Sequence, residues 1–227
     1  MNIAESYQKI RKEIPSNVTI IVAGKGRTKE EIEEVIEAGA EDLGENYVQE
    51  AERMYEALGE KAKKVRWHMI GHLQKNKINK ALKIFDVIQT VDSREIVLAI
   101  NERAEKIGKV VPVYIEVNIG DEMTKSGVKA EYCIIENLAL EISKLGCLRL
   151  EGLMAMEPQV VNPEDSRPYF RKAKDIFDKI KALNLANVNM KYISMGMSDS
   201  YRIAIEEGGN MVRLGTVIFG GRQLIEN

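Results

Sequence analysis

Short apolar runs rich in β-branched residues alternate with amphipathic segments of helical period from one end of the chain to the other. The runs are NVTIIVAG (17–24), the short EDLGEN (41–46), VRWHMIG (65–71), DVIQTVD (86–92), VVPVYIEVNIG (110–120), LRLEGLMAM (148–156), VNMKYISMG (188–196) and NMVRLGTVIFG (210–220). Each is short and continuous enough to be a strand buried on both faces. Between them lie segments such as TKEEIEEVIEAGA (28–40), where Ile32, Val35 and Ile36 repeat at helical spacing. There, Thr28 followed by Glu31 forms a capping-box pattern, and Gly39 suits a helix end.

The same pairing predicts helices over 48–62, 76–85, 93–108, 131–146, 164–183 and 199–209. Strands separated by helices run parallel through right-handed crossovers. Eight such units close into a single α/β domain, a (β/α)₈ TIM barrel over residues 1–227. A doubly wound open sheet is the alternative. Little chain follows the last strand, and ESYQKIRKEI (5–14) is placed to supply the helix missing there. No linker, low-complexity tract or near-identical repeat divides the sequence.

Composition narrows the function classes. With 33 basic and 35 acidic residues the net charge is −2, so no electrostatic signature for nucleic acid is present. No apolar run approaches the roughly 18 residues that span a bilayer, and MNIAESYQKIRKEI lacks the apolar core of a signal peptide. Neither cysteine, Cys133 or Cys147, sits in a CxxC pair, which fits a reducing compartment. The expectation is a cytoplasmic protein without a membrane partner.

In a barrel of this kind the site lies at the C-terminal ends of the strands. Read in order, those ends carry Lys25; Glu45, Asn46 and Tyr47; His68 and His72; Asp92; Asn118; the segment SMGMSDS (194–200); and Arg213 with Gly215 and Thr216. Polar loops alone explain part of this gathering. They explain less well a lysine between two glycines, Gly24 and Gly26, at the end of an apolar strand.

Lys25 has two readings. It is a solvated lysine in a glycine turn, or it is a Schiff-base lysine whose amine is partly desolvated at the barrel mouth and so freed as a nucleophile. In SMGMSDS, Ser198 or a neighbour is placed to cap the next helix, and backbone N–H groups there suit an anion. Phosphate sites in such barrels form from the loops after the last two strands, and RLGTVIFG (213–220) supplies a second glycine turn with a hydroxyl. The alternative is an ordinary N-cap and an ordinary turn. Arg213, inside the apolar run Met211–Leu214, requires an ion-pair partner or a ligand. Facing a pyridine nitrogen, its guanidinium would keep that nitrogen unprotonated.

WHMIGHLQKNK (67–77) holds both histidines at HxxxH spacing, without the glutamate of HExxH and without a nearby cysteine. Structural roles in the turn after the third strand are expected for His68 and His72, and no metal. Lys125, after the fifth strand, reads as a solvated loop lysine. P-loop, GxGxxG and GxSxG patterns are absent.

Taken together, GENYVQE (44–50), WHMIGHLQKNK (67–77), VNI (117–119), KSG (125–127), GLMAM (152–156), SMGMSDS (194–200) and VRLGTVIFGGR (212–222) resemble the pyridoxal phosphate homeostasis protein family, also called the proline synthetase co-transcribed protein family. The resemblance spans nearly the whole chain in the family's order. It implies a barrel similar to the N-terminal domain of alanine racemase, with pyridoxal 5′-phosphate (PLP) held as an internal aldimine on Lys25. It implies phosphate contacts around Ser194, Met195, Ser198, Gly215 and Thr216, with Arg213 near the pyridine nitrogen and Asn46 near the ring. The family's first strand usually ends Val-Ser-Lys-Thr-Lys-Pro. This chain reads Ala23-Gly24-Lys25-Gly26-Arg27-Thr28, keeping the lysine and changing its neighbours.

Three functions follow as alternatives. The first is a non-catalytic PLP carrier and buffer in vitamin B6 and amino-acid homeostasis, monomeric, with apo-enzymes as recipients. The second is a weak PLP-dependent amino-acid racemase. The third is a barrel that binds a phosphorylated sugar without PLP. With Asn227 only 11 residues beyond Thr216, the second domain of racemases is not expected, which favours the carrier.

Overall fold

The computed structural model describes residues 2–122 and 125–221. Nine parallel strands form one sheet: β1 (Thr19–Ala23), β2 (Asp42–Glu45), β3 (Arg66–Met69), β4 (Val87–Val91), β5 (Val111–Asn118), β6 (Val128–Lys129), β7 (Leu148–Met156), β8 (Val188–Ser194) and β9 (Met211–Leu214). Eight of them close the barrel wall in the order β4-β3-β2-β1-β9-β8-β7-β5, sealed where β4 pairs with β5. The ninth, β6, is a two-residue strand added beside the end of β5, which also carries β7.

The helices are α1 (Ile3–Glu13), α2 (Lys29–Glu37), α3 (Val48–Leu58), α4 (Ile78–Ile84), α5 (Arg94–Lys106), α6 (Tyr132–Ser143), α7 (Arg167–Ala182), α8 (Tyr201–Glu206) and α9 (Thr216–Phe219). In α2 the Thr28–Glu31 capping box forms in both directions, and Gly39 takes φ +99°, as a helix-ending glycine does. The helix expected over 48–62 stops at Leu58, because Gly59 turns to φ +56° and the chain continues as a 3₁₀ stretch.

Two apolar layers follow from strand alternation. Ile21, Val87, Tyr114, Met154 and Met211 fill the barrel interior. Residues of opposite parity, such as Ile20, Val22, Leu43, Ile115 and Ile193, face the helices.

The segment 210–220 departs from its reading as one long strand. Strand β9 ends at Leu214, Gly215 leaves the extended conformation, and Thr216–Phe219 make one helical turn. The β-branched residues of that turn favour a strand locally. Burial of Ile218 and the stacking of Phe219 4.8 Å from the Arg27 guanidinium override the preference. Helix α1 packs against α2 and α9, in the gap expected for ESYQKIRKEI. Its Tyr7 hydroxyl donates to the Gly39 carbonyl at 3.2 Å, and Glu13 accepts from the Tyr201 hydroxyl at 2.7 Å.

Candidate functional site

The cavity at the C-terminal ends of the strands has a volume of about 240 Å³. Lys25 enters it from the turn after β1, and Asn46 from the end of β2. Ser198 and Asp199 come from the loop after β8, Arg213 from β9, and Gly215 and Thr216 from the start of α9. Six residues singled out in the sequence therefore line one space: Lys25, Asn46, Ser198, Arg213, Gly215 and Thr216. Lys25 and Thr216 arrive on hydrogen-bonded neighbours, because β1 pairs with β9 in the register Val22 to Leu214.

Arg213 is buried, and both Nη atoms of its guanidinium are engaged with the ends of β7 and β8. Nη1 donates to the Ser194 carbonyl at 2.8 Å and the Ser194 hydroxyl at 2.9 Å, and Nη2 to the Ala155 carbonyl at 2.9 Å. Among the described residues it makes no ion pair at the barrel bottom. Burial draws its pKa below the ordinary arginine range, while Glu157 and Glu116 pull the other way. The arrangement fixes the plane of the guanidinium beneath the mouth.

Two carboxyls support this floor. Glu116, an inward residue of β5, is pushed up to about 7, first by burial and then by Asp92, with Arg213 opposing. Glu157 accepts from the Ser200 hydroxyl at 2.7 Å, and Ser200 in turn accepts from the Met197 N–H at 3.0 Å.

That last pair changes the expected cap. No side chain caps α8. Ser198 turns instead to the start of α9, where its hydroxyl oxygen accepts long hydrogen bonds from the N–H groups of Gly215, at 3.4 Å, and Val217, at 3.3 Å. The loops after β8 and β9 are thereby joined through one hydroxyl inside the cavity. Asn46 Oδ1 is buried without a hydrogen-bond partner in the same region, a group available to a ligand.

Ser194 and Met195 stand apart from the cavity lining. Ser194 serves Arg213 from inside the wall. Met195 shares the outward parity of Ile193 and is wholly buried in the layer beneath the helices. The cavity wall also includes Ala23, Ile70, Met156 and Met197, which carry no chemical signal in the sequence. Alternation would have found Ala23 and Met156, each two residues along from an interior residue.

His68 and His72 diverge. His68 lies within β3, not in the turn after it, and is wholly buried. Its Nε2 is 2.7 Å from Asp42 Oδ1 and its Nδ1 is 2.9 Å from Gln89 Nε2. His72 is half exposed, with Nδ1 3.4 Å from Asp92. Lys125, expected as a solvated loop lysine, is instead tied down, to Glu122 at 2.6 Å and to the Glu157 carbonyl at 2.8 Å. Asn118 folds the same loop by donating to the Glu122 carbonyl at 2.7 Å.

A larger hollow of about 740 Å³ opens at the opposite end of the barrel. There Asp86 accepts the Trp67 N–H, and Lys109 donates to the carbonyls of Leu82 and Phe85. Barrel sites form at the other end, and none of the converging residues is here.

Residues 1–223 match the family model described as alanine racemase, N-terminal domain. A pyridoxal phosphate homeostasis protein of Aquifex aeolicus is 39% identical over 204 residues, covering 90% of this chain and 87% of that protein. The structure of PipY of Synechococcus elongatus PCC7942 with PLP bound superposes with a TM-score of 0.87 at 27% identity, over 96% of this chain and all of that one. An alanine racemase of Clostridium difficile 630 shares the fold, with a TM-score of 0.78 at 18% identity, over 99% of this chain and 60% of that one.

Proposed function

The chain belongs to the pyridoxal phosphate homeostasis protein family, and from that premise we propose that it binds PLP at the mouth of the barrel, holds it on Lys25, and serves as a carrier and buffer of the cofactor inside the cell. The observation that carries this reading is the convergence of Lys25 with Ser198, Gly215 and Thr216 in one cavity of about 240 Å³. Lys25 would hold the aldehyde end through its amine, and the bound cofactor would supply a reversible imine carbon there. The Ser198 hydroxyl, Thr216 and the Gly215 backbone would hold the phosphate end.

Arg213 would lie beneath a ring held in this cavity. A permanent cation held by three oxygen acceptors does not give up a proton, so it keeps a pyridine nitrogen beside it unprotonated. A PLP ring in that state is a weak electron sink. Asn46 Oδ1, buried and unpartnered, offers the ring substituents an acceptor. The fit favours holding the cofactor over chemistry at an amino-acid α-carbon. Apo-enzymes that need PLP are the recipients this reading implies, and a monomer suffices for the site.

A second reading, weak racemisation, draws on Asp199. Among the described residues lining the cavity, Lys25, Asp199 and Arg213 are the ionisable ones, so Asp199 is the group available as a second acid.

The test is the visible absorption of the protein with added PLP, for wild type and Lys25→Ala, followed by borohydride reduction and peptide mapping. A Schiff-base band lost in the variant, with the label on Lys25, supports the reading. A label elsewhere, or no band, removes it and favours a phosphate-binding barrel without PLP. Lys25-dependent α-proton exchange of amino acids at ordinary enzyme rates would replace the carrier with the racemase.

A further inference from the structure

Behind the Lys25 turn, on the outer face of the barrel wall, one buried group is unexplained by the cofactor site. Along β2, Asp42 and Gly44 face inward, Asp42 against His68 and Gly44 against Ile21 and Ile70. Leu43 and Glu45 therefore face outward. Leu43 joins the apolar layer there, whereas Glu45 brings a carboxyl into it. Glu45 is 2% exposed, and its Oε2 has no hydrogen-bond partner. Its Oε1 lies over Gly24, where a Cβ would stand only 2.5 Å away. Burial, with Glu50, pushes this carboxyl up to about 8 against the Asn46 backbone and Lys25, so it stays largely protonated at neutral pH until a cation comes to it.

Glu45 forms part of the wall of a cleft of about 390 Å³ between the β1–α2 turn and α3, separate from the cavity at the mouth. The same cleft is lined by Glu50 and Arg53 of α3 and by Arg27 and Lys29 beside α2. Arg27 is already committed to Glu31 at 3.2 Å and to the Gly220 carbonyl at 2.8 Å. Among the described residues Lys29 pairs only with Glu33, at 3.4 Å, and it is half exposed. Among the described residues Arg53 and Glu50 make no ion pair, and Arg53 spends only its Nε on the Gln49 carbonyl.

This lining selects by charge. A simple cation that satisfied Glu45 would meet Lys29 and Arg53, and a simple anion drawn to those two would meet Glu45 and Glu50. A small zwitterion satisfies both sets. We propose that this cleft binds a free α-amino acid, with its ammonium group on Glu45 and its carboxylate toward Arg53 and Lys29. The ammonium supplies the donors that the unpaired oxygen lacks, and an ion pair formed away from water is stronger than an exposed one. The proposal is distinct from the PLP reading because it needs no cofactor, although the charge of Lys25 favours the ionised Glu45.

It is tested on the full chain freed of PLP, so that no amino acid can react with the cofactor. L-alanine is titrated while the amide resonances of Gly24, Gly26 and Glu45 are followed by NMR. The expected result is a saturable shift of these amides. N-acetyl-L-alanine, without the ammonium, and ethylamine, without the carboxylate, leave them in place. Glu45→Gln and Arg53→Ala each weaken binding by about tenfold or more. Arg53 is exposed on a helix, so its loss leaves the fold intact even if Glu45→Gln disturbs the wall. No saturable shift with L-alanine, equal shifts with ethylamine, or unchanged affinity in Arg53→Ala would each overturn the proposal.

Discussion

Arg213 Nη1 donates to both oxygens of Ser194, the hydroxyl at 2.9 Å and the carbonyl at 2.8 Å. The pair ties β9 to β8 inside the barrel and sets the floor of the cavity. Arg213→Met leaves the carbonyls of Ser194 and Ala155 unpaired and removes the positive charge facing Glu116 and Glu157. The expected loss is about 3 kcal/mol of stability, read by urea unfolding. Arg213→Lys is expected to recover only part of it, since an ammonium lacks the planar fork that serves two strand ends at once. Full recovery by lysine would show that charge alone matters here.

Glu116 predicts a pH dependence of stability. Its carboxyl is raised from 4.5 to about 7, chiefly by burial. Between these values the folded chain holds more protons than the unfolded one, so the stability this group contributes is full below about 4.5 and lost as the pH rises through about 7. Glu116→Gln should therefore be more stable than wild type at pH 8 by on the order of 2 kcal/mol, with no gain at pH 4. Unfolding curves at the two pH values decide it. A gain of equal size at both would mean that packing, not ionisation, is responsible.

His68 acts in the opposite sense. Burial holds its imidazole below the ordinary histidine range, although Asp42 pulls it up. The unfolded chain then binds the extra proton, so stability is full above about 6.5 and is lost as the pH falls below it. Replacing His68 by Gln should flatten this acid-side loss while lowering stability at neutral pH, where the bonds to Asp42 and Gln89 are broken. An unchanged acid limb in the variant would assign that limb to other groups.

Ser198 separates binding from folding. Its hydrogen bonds to the Gly215 and Val217 N–H groups are long, at 3.4 and 3.3 Å. Ser198→Ala is thus expected to change stability by less than about 1 kcal/mol, yet to weaken PLP binding by about tenfold if the hydroxyl holds the phosphate. Equilibrium titration by absorbance measures the second quantity and thermal melting the first. Unchanged PLP affinity would take Ser198 out of the phosphate site.

Two glycines are required by close approach. Alanine at Gly24 would place its Cβ 2.5 Å from Glu45 Oε1 and 3.2 Å from Ile32 and Leu43. Alanine at Gly152 would collide with the backbone carbonyl of Tyr192 on the neighbouring strand. Both should destabilise by about 1–3 kcal/mol. Gly152→Ala should be the worse, because a paired strand cannot shift as a carboxyl can. Urea midpoints rank the two, and the reverse order would show that the Glu45 carboxyl is held more rigidly than the wall.

Much of this was legible in the chain. Eight apolar runs separated by amphipathic segments leave a parallel barrel as the closed solution, because parallel strands need crossovers and both sheet faces need cover. The same order places Lys25, Asn46, Ser198, Arg213, Gly215 and Thr216 at one rim, since every strand ends there. What the chain alone did not decide is where a side chain points once the strand has ended. Met195 keeps the outward parity of Ile193 and is buried, while Met197, beyond Gly196 at φ +87°, reaches the cavity. Ser198 caps a turn 18 residues away rather than its own helix, and His68 lies inside the wall rather than in a turn. The carboxyl of Glu45 settled over Gly24, in a cleft no motif announces. Local sequence determines period and therefore topology. The direction of each polar group is set by which neighbours from distant segments are left to satisfy it, and only the closed barrel brings those neighbours together.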